Sequence, residues 1–301
     1  VILFLLIVGR KYRVQKNDIR IAFCPKPLYF QLLYPRSICR EAMLRIALVL
    51  VALCFALPVA PSCALAGPPF WTDDPQPVEY KNWEIDVASL HQDYRGGVSS
   101  TAPHFDVNYG IAPDFQLHLL FPMEYARPAG LTSHYGPGDT ELGVKWRFFE
   151  NEEDKFMAGV YPFLEIPTGD QSKGLGNGDP QVFLPLWLQK AWGPWQTYGG
   201  GGYWINPGVG HMDFWFFGWQ VQREISKYLT FGVEIFYETP QETGGEHNLA
   251  FNAGAIINIT KNHQILMSAG TDISGPARFL SYIAYQLTFG PEKEKGEVEK
   301  H

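Results

Sequence analysis

Apolar residues return at every second position along most of the chain beyond residue 83, and no other feature restricts the fold as much. In "DTELGVKWRFF", residues 139–149, one register holds Asp139, Glu141, Gly143, Lys145 and Arg147. The other holds Thr140, Leu142, Val144, Trp146 and Phe148. A period of two is that of a β-strand, whose side chains alternate between two faces. The pattern recurs in "HFDVNYG", "FQLHLLFPMEY", "YLTFGVEIFYE" and "NLAFNAGAIINI". It predicts strands at 83–91, 102–109, 115–126, 139–149, 156–166, 180–190, 195–205, 212–224, 228–238, 247–259, 263–272 and 279–289. Beyond Ala66 no stretch approaches the roughly 18 apolar residues of a transmembrane helix, and none repeats at 3.6 residues.

Such strands fit either a soluble sandwich with the apolar face inside or a membrane barrel with that face toward lipid. Twelve strands is an even number, and most are near the roughly 9–11 residues that a tilted strand needs to cross a bilayer. Short turns such as "IAPD", "NEED", "WGP", "SK" and "TKN" alternate with longer glycine-rich loops such as "YRGGVSST", "TGDQSKGLGNG" and "ISGPA". A sandwich has no reason to sort its connections in this way. Strand ends carry Trp83, Tyr109, Tyr125, Trp146, Phe148, Trp187, Trp192, Trp195, Trp204, Tyr228, Tyr237 and Phe289, consistent with aromatic girdles at two interfaces. The last strand, "SYIAYQLTF", ends like a signal for barrel-assembly machinery, and a charged tail at 290–301 follows it. A closed barrel also leaves no unpaired edge in lipid. The expected fold is therefore all-β, a closed antiparallel transmembrane β-barrel with short periplasmic turns and longer extracellular loops.

The front of the chain fits export. Arg45 is a basic n-region, residues 46–57 an apolar h-region, and Ala64-Leu65-Ala66 a cleavage site, so 43–66 reads as a signal peptide. Residues 1–42 then read as an upstream extension before the natural start. All four cysteines, Cys24, Cys39, Cys54 and Cys63, precede the cut, so the mature chain has no disulfide framework and no thiolate site. The expected location is the bacterial outer membrane. A formal charge of -7 argues against nucleic acid as a partner.

With lipid outside, the polar register lines the lumen. Its candidates are Glu84, Asp86, Asp106, His118, Glu124, Glu141, Lys145, Arg147, Glu165 and Glu234. Such charges either select a solute or pair with one another and fill a narrow barrel. Pro122, Pro162 and Pro185 interrupt good strands and each removes a ladder donor. They mark either bulges or, at Pro162 and Pro185 on adjacent strands, a gap through which an apolar solute leaves sideways into lipid. Residues 67–82, "GPPFWTDDPQPVEYKN", form a periplasmic lead-in or a plug, and Phe70 and Trp71 favour insertion. Catalytic patterns are absent: Ser133-His134 lies in a loop, His211, His247 and His263 lie at strand ends, and no G-x-S-x-G or H-E-x-x-H occurs. "GLGNGD" lacks the context of a phosphate loop and the spacing of a calcium loop, so neither a metal nor a cofactor is expected.

The segments "PPFWTDDPQPVEYKNWEID", "DVNYGIAPDFQLHL", "GPGDTELGVKWRFF", "YPFLEIPTGD", "GLGNGDPQVFLPLWLQKAWGPWQTYGGGGYWINPG", "WFFGWQVQREI" and "SYIAYQLTF" resemble the predicted outer-membrane transporters associated with the meta-cleavage pathway of phenol degradation. The resemblance spans nearly the whole chain beyond the leader. It implies an outer-membrane barrel that takes up aromatic or other hydrophobic compounds, and it assigns no catalytic or binding residues. The expected function is thus passive passage of small hydrophobic or aromatic, phenol-like solutes, with outer-membrane lipid and barrel-assembly machinery as partners. The alternatives are an outer-membrane lipid hydrolase and a structural or binding barrel with a sealed lumen.

Overall fold

The computed structural model describes residues 69–291. The proposed leader, the residues before it and the tail from 292 onward lie outside the described residues. The strands are β1 (Trp83–Tyr94), β2 (Gly97–Ala112), β3 (Phe115–Pro128), β4 (His134–Pro137), β5 (Thr140–Asn151), β6 (Phe156–Val160) and β7 (Phe163–Ile166). After one 3-10 turn, Gln171–Lys173, come β8 (Gln181–Trp192), β9 (Trp195–Ile205), β10 (Phe214–Ser226), β11 (Leu229–Glu238), β12 (Asn248–Asn258), β13 (His263–Ser274) and β14 (Ala277–Phe289).

Pairing is antiparallel between neighbours, and β1 closes the circle on β14 from Trp83↔Phe289 to Tyr94↔Ala277. Both β4 and β5 pair with β3, and both β6 and β7 lie between β5 and β8. The fourteen segments therefore make twelve staves of one closed antiparallel barrel. The predicted strand at 139–149 begins earlier, in β4, and bends at Gly138 and Asp139. The predicted strand at 156–166 breaks at Tyr161 and Pro162.

The alternation sorts the two faces. Leu142, Val144, Trp146 and Phe148 point outward and are 38–46% exposed, while Gly143 and Lys145 between them are buried. Among the largest fully buried side chains are Gln220, Gln222, Glu234 and Asn252. A soluble domain places such groups outside, so this wall is inverted: apolar toward its surroundings, polar toward its axis.

Two expectations need correction. The connections after the first and eleventh predicted strands are not long loops: only residues 95–96 and 275–276 separate the flanking strands. Gly97 (φ +148°) and Gly275 (φ +147°) adopt backbone that disfavours side chains, which lets the chain reverse tightly. The ladder also runs on through Val98, Ser99 and Ser100, which pair with Asp93, Gln92 and His91. Longer connections remain at 167–180, 206–213 and 239–247, against 113–114, 193–194 and 227–228 at the other end. The second correction is that Trp187 and Trp204 belong to no outer girdle. Trp187 is 1% exposed in the interior, and Trp204 stacks on Phe183 and Phe214.

Candidate functional site

The interior has two unlike regions. Toward the long-loop end, rings from neighbouring staves interlock. Phe183 lies 5.3 Å from Phe163, Trp187 meets Phe216 at 6.1 Å, and Phe216 stacks on Phe236 at 5.9 Å, with Tyr161, Ala250 and Leu280 in the same cluster. Inward positions on β8 and β10 are aromatic near this end (Phe183, Phe214, Phe216) and become amides further along (Gln189, Gln220, Gln222). The polarity of the lumen thus changes along individual strands while its register does not.

The ionic groups of the inward register gather on the wall made by β1 to β7, from near the short turns up to Glu124 and Glu165 near the long loops. His118 Nδ1 lies 3.0 Å from Asp106 and its Nε2 lies 3.7 Å from Glu141. Asp86 sits opposite Asp106 in the ladder, and Glu84 opposite Asn108. Arg147 binds Asp114 at 2.8 Å and Glu150 at 2.9 Å near the rim. Glu124 accepts a hydrogen bond from Ser99 at 2.6 Å, and Glu141 faces Glu165 across β5 and β7. The structure therefore joins Asp106, His118 and Glu141 directly, places Glu124 and Glu165 further up the same wall, and leaves Glu234 on a different wall.

Glu234 is the anchor of a strap. Residues 69–82 run through the lumen against inward-facing groups and leave at the short-turn end, where β1 begins. The Glu234 carboxylate accepts the backbone N–H of Trp71 and that of Thr72, each at 2.9 Å. Asn252 Nδ2 donates to the same carboxylate at 2.9 Å, and Ser268 Oγ donates to the Pro69 carbonyl at 2.7 Å. Lys145 donates to Asp73 at 2.9 Å and lies 4.0 Å from the fully buried Asp74. Further along, the Val78 N–H donates to Gln116 at 2.8 Å and the Lys81 N–H to the Gly110 carbonyl at 2.7 Å.

The strap follows a track of inward glycines. A Cβ on Gly232 would lie 2.8 Å from the Phe70 ring, one on Gly254 3.0 Å from the same ring, and one on Gly159 2.9 Å from Pro75. Gly218 is similarly filled by Thr72, and Gly110 by the backbone of Val78 and Glu79. Real Cβ atoms do not approach so closely, so backbone proximity requires glycine at these positions. Sequence reasoning missed Asp73, Asp74 and this track. The two aspartates lay in plain view beside Phe70 and Trp71, but the partners they meet are distant in the chain.

The three prolines behave differently. Pro122 pairs opposite His104, beside a bulge in β2, and Pro185 pairs opposite Gly202 with the β8–β9 ladder unbroken. Pro162 coincides with a lapse on both sides: β5 pairing stops at Gly143↔Phe163 and resumes at Trp146↔Val160, and β8 pairing likewise skips Tyr161 and Pro162. On the β5 side the Val144 N–H donates to the Pro162 carbonyl at 3.1 Å across the interval. An apolar depression of about 660 Å³ lies at this place on the outer wall. Its lining includes outward Leu117, Leu142, Val144 and Leu164 together with Pro162 and the inward His118 and Phe163.

The histidine held by carboxylates, His118, has Asn108 as a further partner at 3.0 Å and no serine. The Ser–His contacts lie elsewhere, at His91–Ser100 and His247–Ser274. Among the described residues no group of three or more His, Cys, Asp or Glu is arranged to hold a metal ion.

No family model matches the chain, and no curated protein matches it. Among solved structures, the KdgM porin (14% identity, 68% of this chain and 99% of that one, TM-score 0.48) and the NanC porin (7%, 67% and 98%, 0.45) give weak likenesses that carry no argument. The COG4313 outer membrane channel from Pseudomonas putida F1 aligns with a TM-score of 0.56 at 16% identity, covering 75% of this chain and all of that one. What the chain is similar to, then, is an outer membrane channel, and what the two have in common is the fold.

Proposed function

We propose that the protein is a channel of the bacterial outer membrane for small hydrophobic or aromatic compounds, phenol-like ones among them, crossing by passive diffusion. The observation that carries this reading is the cluster of rings inside the barrel. Rings inside the barrel offer an apolar solute a surface on which it is desolvated, at about 25 cal/mol per Å² of buried surface. The inverted wall supports placement in lipid, and export through a cleaved leader with assembly by barrel-assembly machinery goes with that placement. The lapse at Pro162 supports a sideways exit, since the ladders toward β5 and toward β8 are both interrupted there.

The strap favours a second reading, a sealed barrel that binds without conducting. Initial uptake of labelled toluene into proteoliposomes with a lipopolysaccharide outer leaflet separates the two. The channel reading expects uptake above that of protein-free vesicles, altered by Glu141→Gln or Arg147→Ala if the solute passes the ionic wall. Equal rates with and without the protein overturn it.

A further inference from the structure

Phe70 and Trp71 straddle one polar rung of the wall. The far end of the Phe70 ring lies against Gly232 and Gly254, which face each other in the β11–β12 ladder. The next inward rung is Glu234 opposite Asn252, and the one after it is Phe236 opposite Ala250. Trp71 reaches that third rung, with its ring 5.7 Å from Phe236. The wall thus offers bare backbone, then hydrogen-bond acceptors, then an aromatic face.

The polar rung holds more acceptors than the strap satisfies. Glu234 is 2% exposed and takes the two strap N–H groups. Asn252 is 1% exposed, and its Oδ1 has no hydrogen-bond partner. Gln220, the ladder neighbour of Glu234 on β10, is fully buried, and its Oε1 also has none. Buried acceptors without donors cost about 1–3 kcal/mol each, so this place is built for something that brings a donor.

We infer that the place of Phe70 and Trp71 is a binding seat for a planar aromatic solute carrying a hydrogen-bond donor, such as a phenol or an aniline, and that the strap occupies the seat until the solute displaces it. The inference rests on the proposed passage of aromatic solutes and adds to it a site, a chemical class and a competitor. The ring of the solute takes the glycine floor in place of Phe70, and its O–H or N–H donates to Glu234, Asn252 or Gln220. A ring without a donor leaves the acceptors unpaired, and sites with unpaired polar groups reject such analogues strongly.

Equilibrium binding of 1-naphthol and of naphthalene to the full chain in lipid nanodiscs tests this, with folding followed by heat-modifiable migration on gels. Phe70→Ala with Trp71→Ala is expected to raise 1-naphthol affinity about tenfold, because the two strap rings no longer compete. Adding Gly232→Leu fills the floor and is expected to abolish that gain. The strap can also be locked in place by a disulfide: a Cβ on Gly218 would lie 3.1 Å from that of Thr72, and residues 69–291 contain no cysteine. Thr72→Cys with Gly218→Cys, in a chain whose Cys24, Cys39, Cys54 and Cys63 are replaced by Ser, is expected once oxidised to lose 1-naphthol binding and to recover it on reduction. Naphthalene is expected to bind at least about tenfold more weakly than naphthol to the strap-opened variant. Equal affinity across the opened, filled and locked variants overturns the seat, and so does equal affinity for the two probes. If uptake of labelled 1-naphthol into the same proteoliposomes is as fast with the oxidised lock as with the reduced form, the seat fails and the channel stands. Seat-dependent binding without uptake in any variant supports the seat and removes the channel.

Discussion

Lys145 shows how tightly one residue ties the strap to the wall. Its ammonium is held by Asp73 at 2.9 Å with Asp74 close by, and it lies 5.0 Å from the centre of the Tyr161 ring. A buried cation with this company is costly to remove, because the carboxylates stay behind uncompensated. Lys145→Met is expected to destabilise the seated strap by about 3–5 kcal/mol. The effect is read as faster protease cleavage within residues 69–82 while the barrel keeps its heat-modifiable migration. Adding Asp73→Asn and Asp74→Asn is expected to restore much of the protection, and a triple variant as labile as Lys145→Met would show that the charges are not what holds the strap. The inward position of Lys145 was legible from the alternation around it. Its partner was not, since a period-two pattern states which face a residue takes and nothing about what crosses the lumen to meet it.

Strands are where the sequence spoke most clearly and where its silence is easiest to explain. All twelve staves were marked by alternation, which is imposed by the wall itself: each residue must choose lipid or lumen. Alternation did not mark the tight reversals at 95–96 and 275–276, because glycine suits an open loop as well as a sharp turn. Nor did it distinguish Pro185, whose ladder toward β9 is intact, from Pro162, where pairing lapses on both sides. A missing N–H matters only where that N–H would point at a partner, and the direction is a property of register. Pro162→Val restores a donor at the lapse. Backbone amides from Ala158 to Leu164 are then expected to exchange more slowly with deuterium, and toluene uptake is expected to fall if solutes leave through the wall there. Unchanged exchange would mean that some feature other than the proline keeps β6 and β7 apart.

The whole molecule is an inversion, and its energetics should be inverted accordingly. On the outer face, a charge at Leu142 must sit in lipid if the barrel spans a bilayer, at a cost of about 2–4 kcal/mol for arginine near the midplane. Leu142→Arg is therefore expected to lower the stability of the barrel in lipid vesicles by that amount in urea unfolding. The same substitution in a water-facing wall would be nearly neutral, so a shift under ~0.5 kcal/mol would argue against a spanning barrel.

The strap carries a consequence for how this molecule comes into being. Trp71 meets Glu234 across 163 positions of sequence, and Pro69 meets Ser268 across 199. A chain made from its amino end produces the strap before any stave, yet nearly the whole circle must exist before the strap has anywhere to lie. The first described residues to be synthesised are thus among the last to find their contacts, and until β11 and β13 arrive, Phe70 and Trp71 have no wall to lie against.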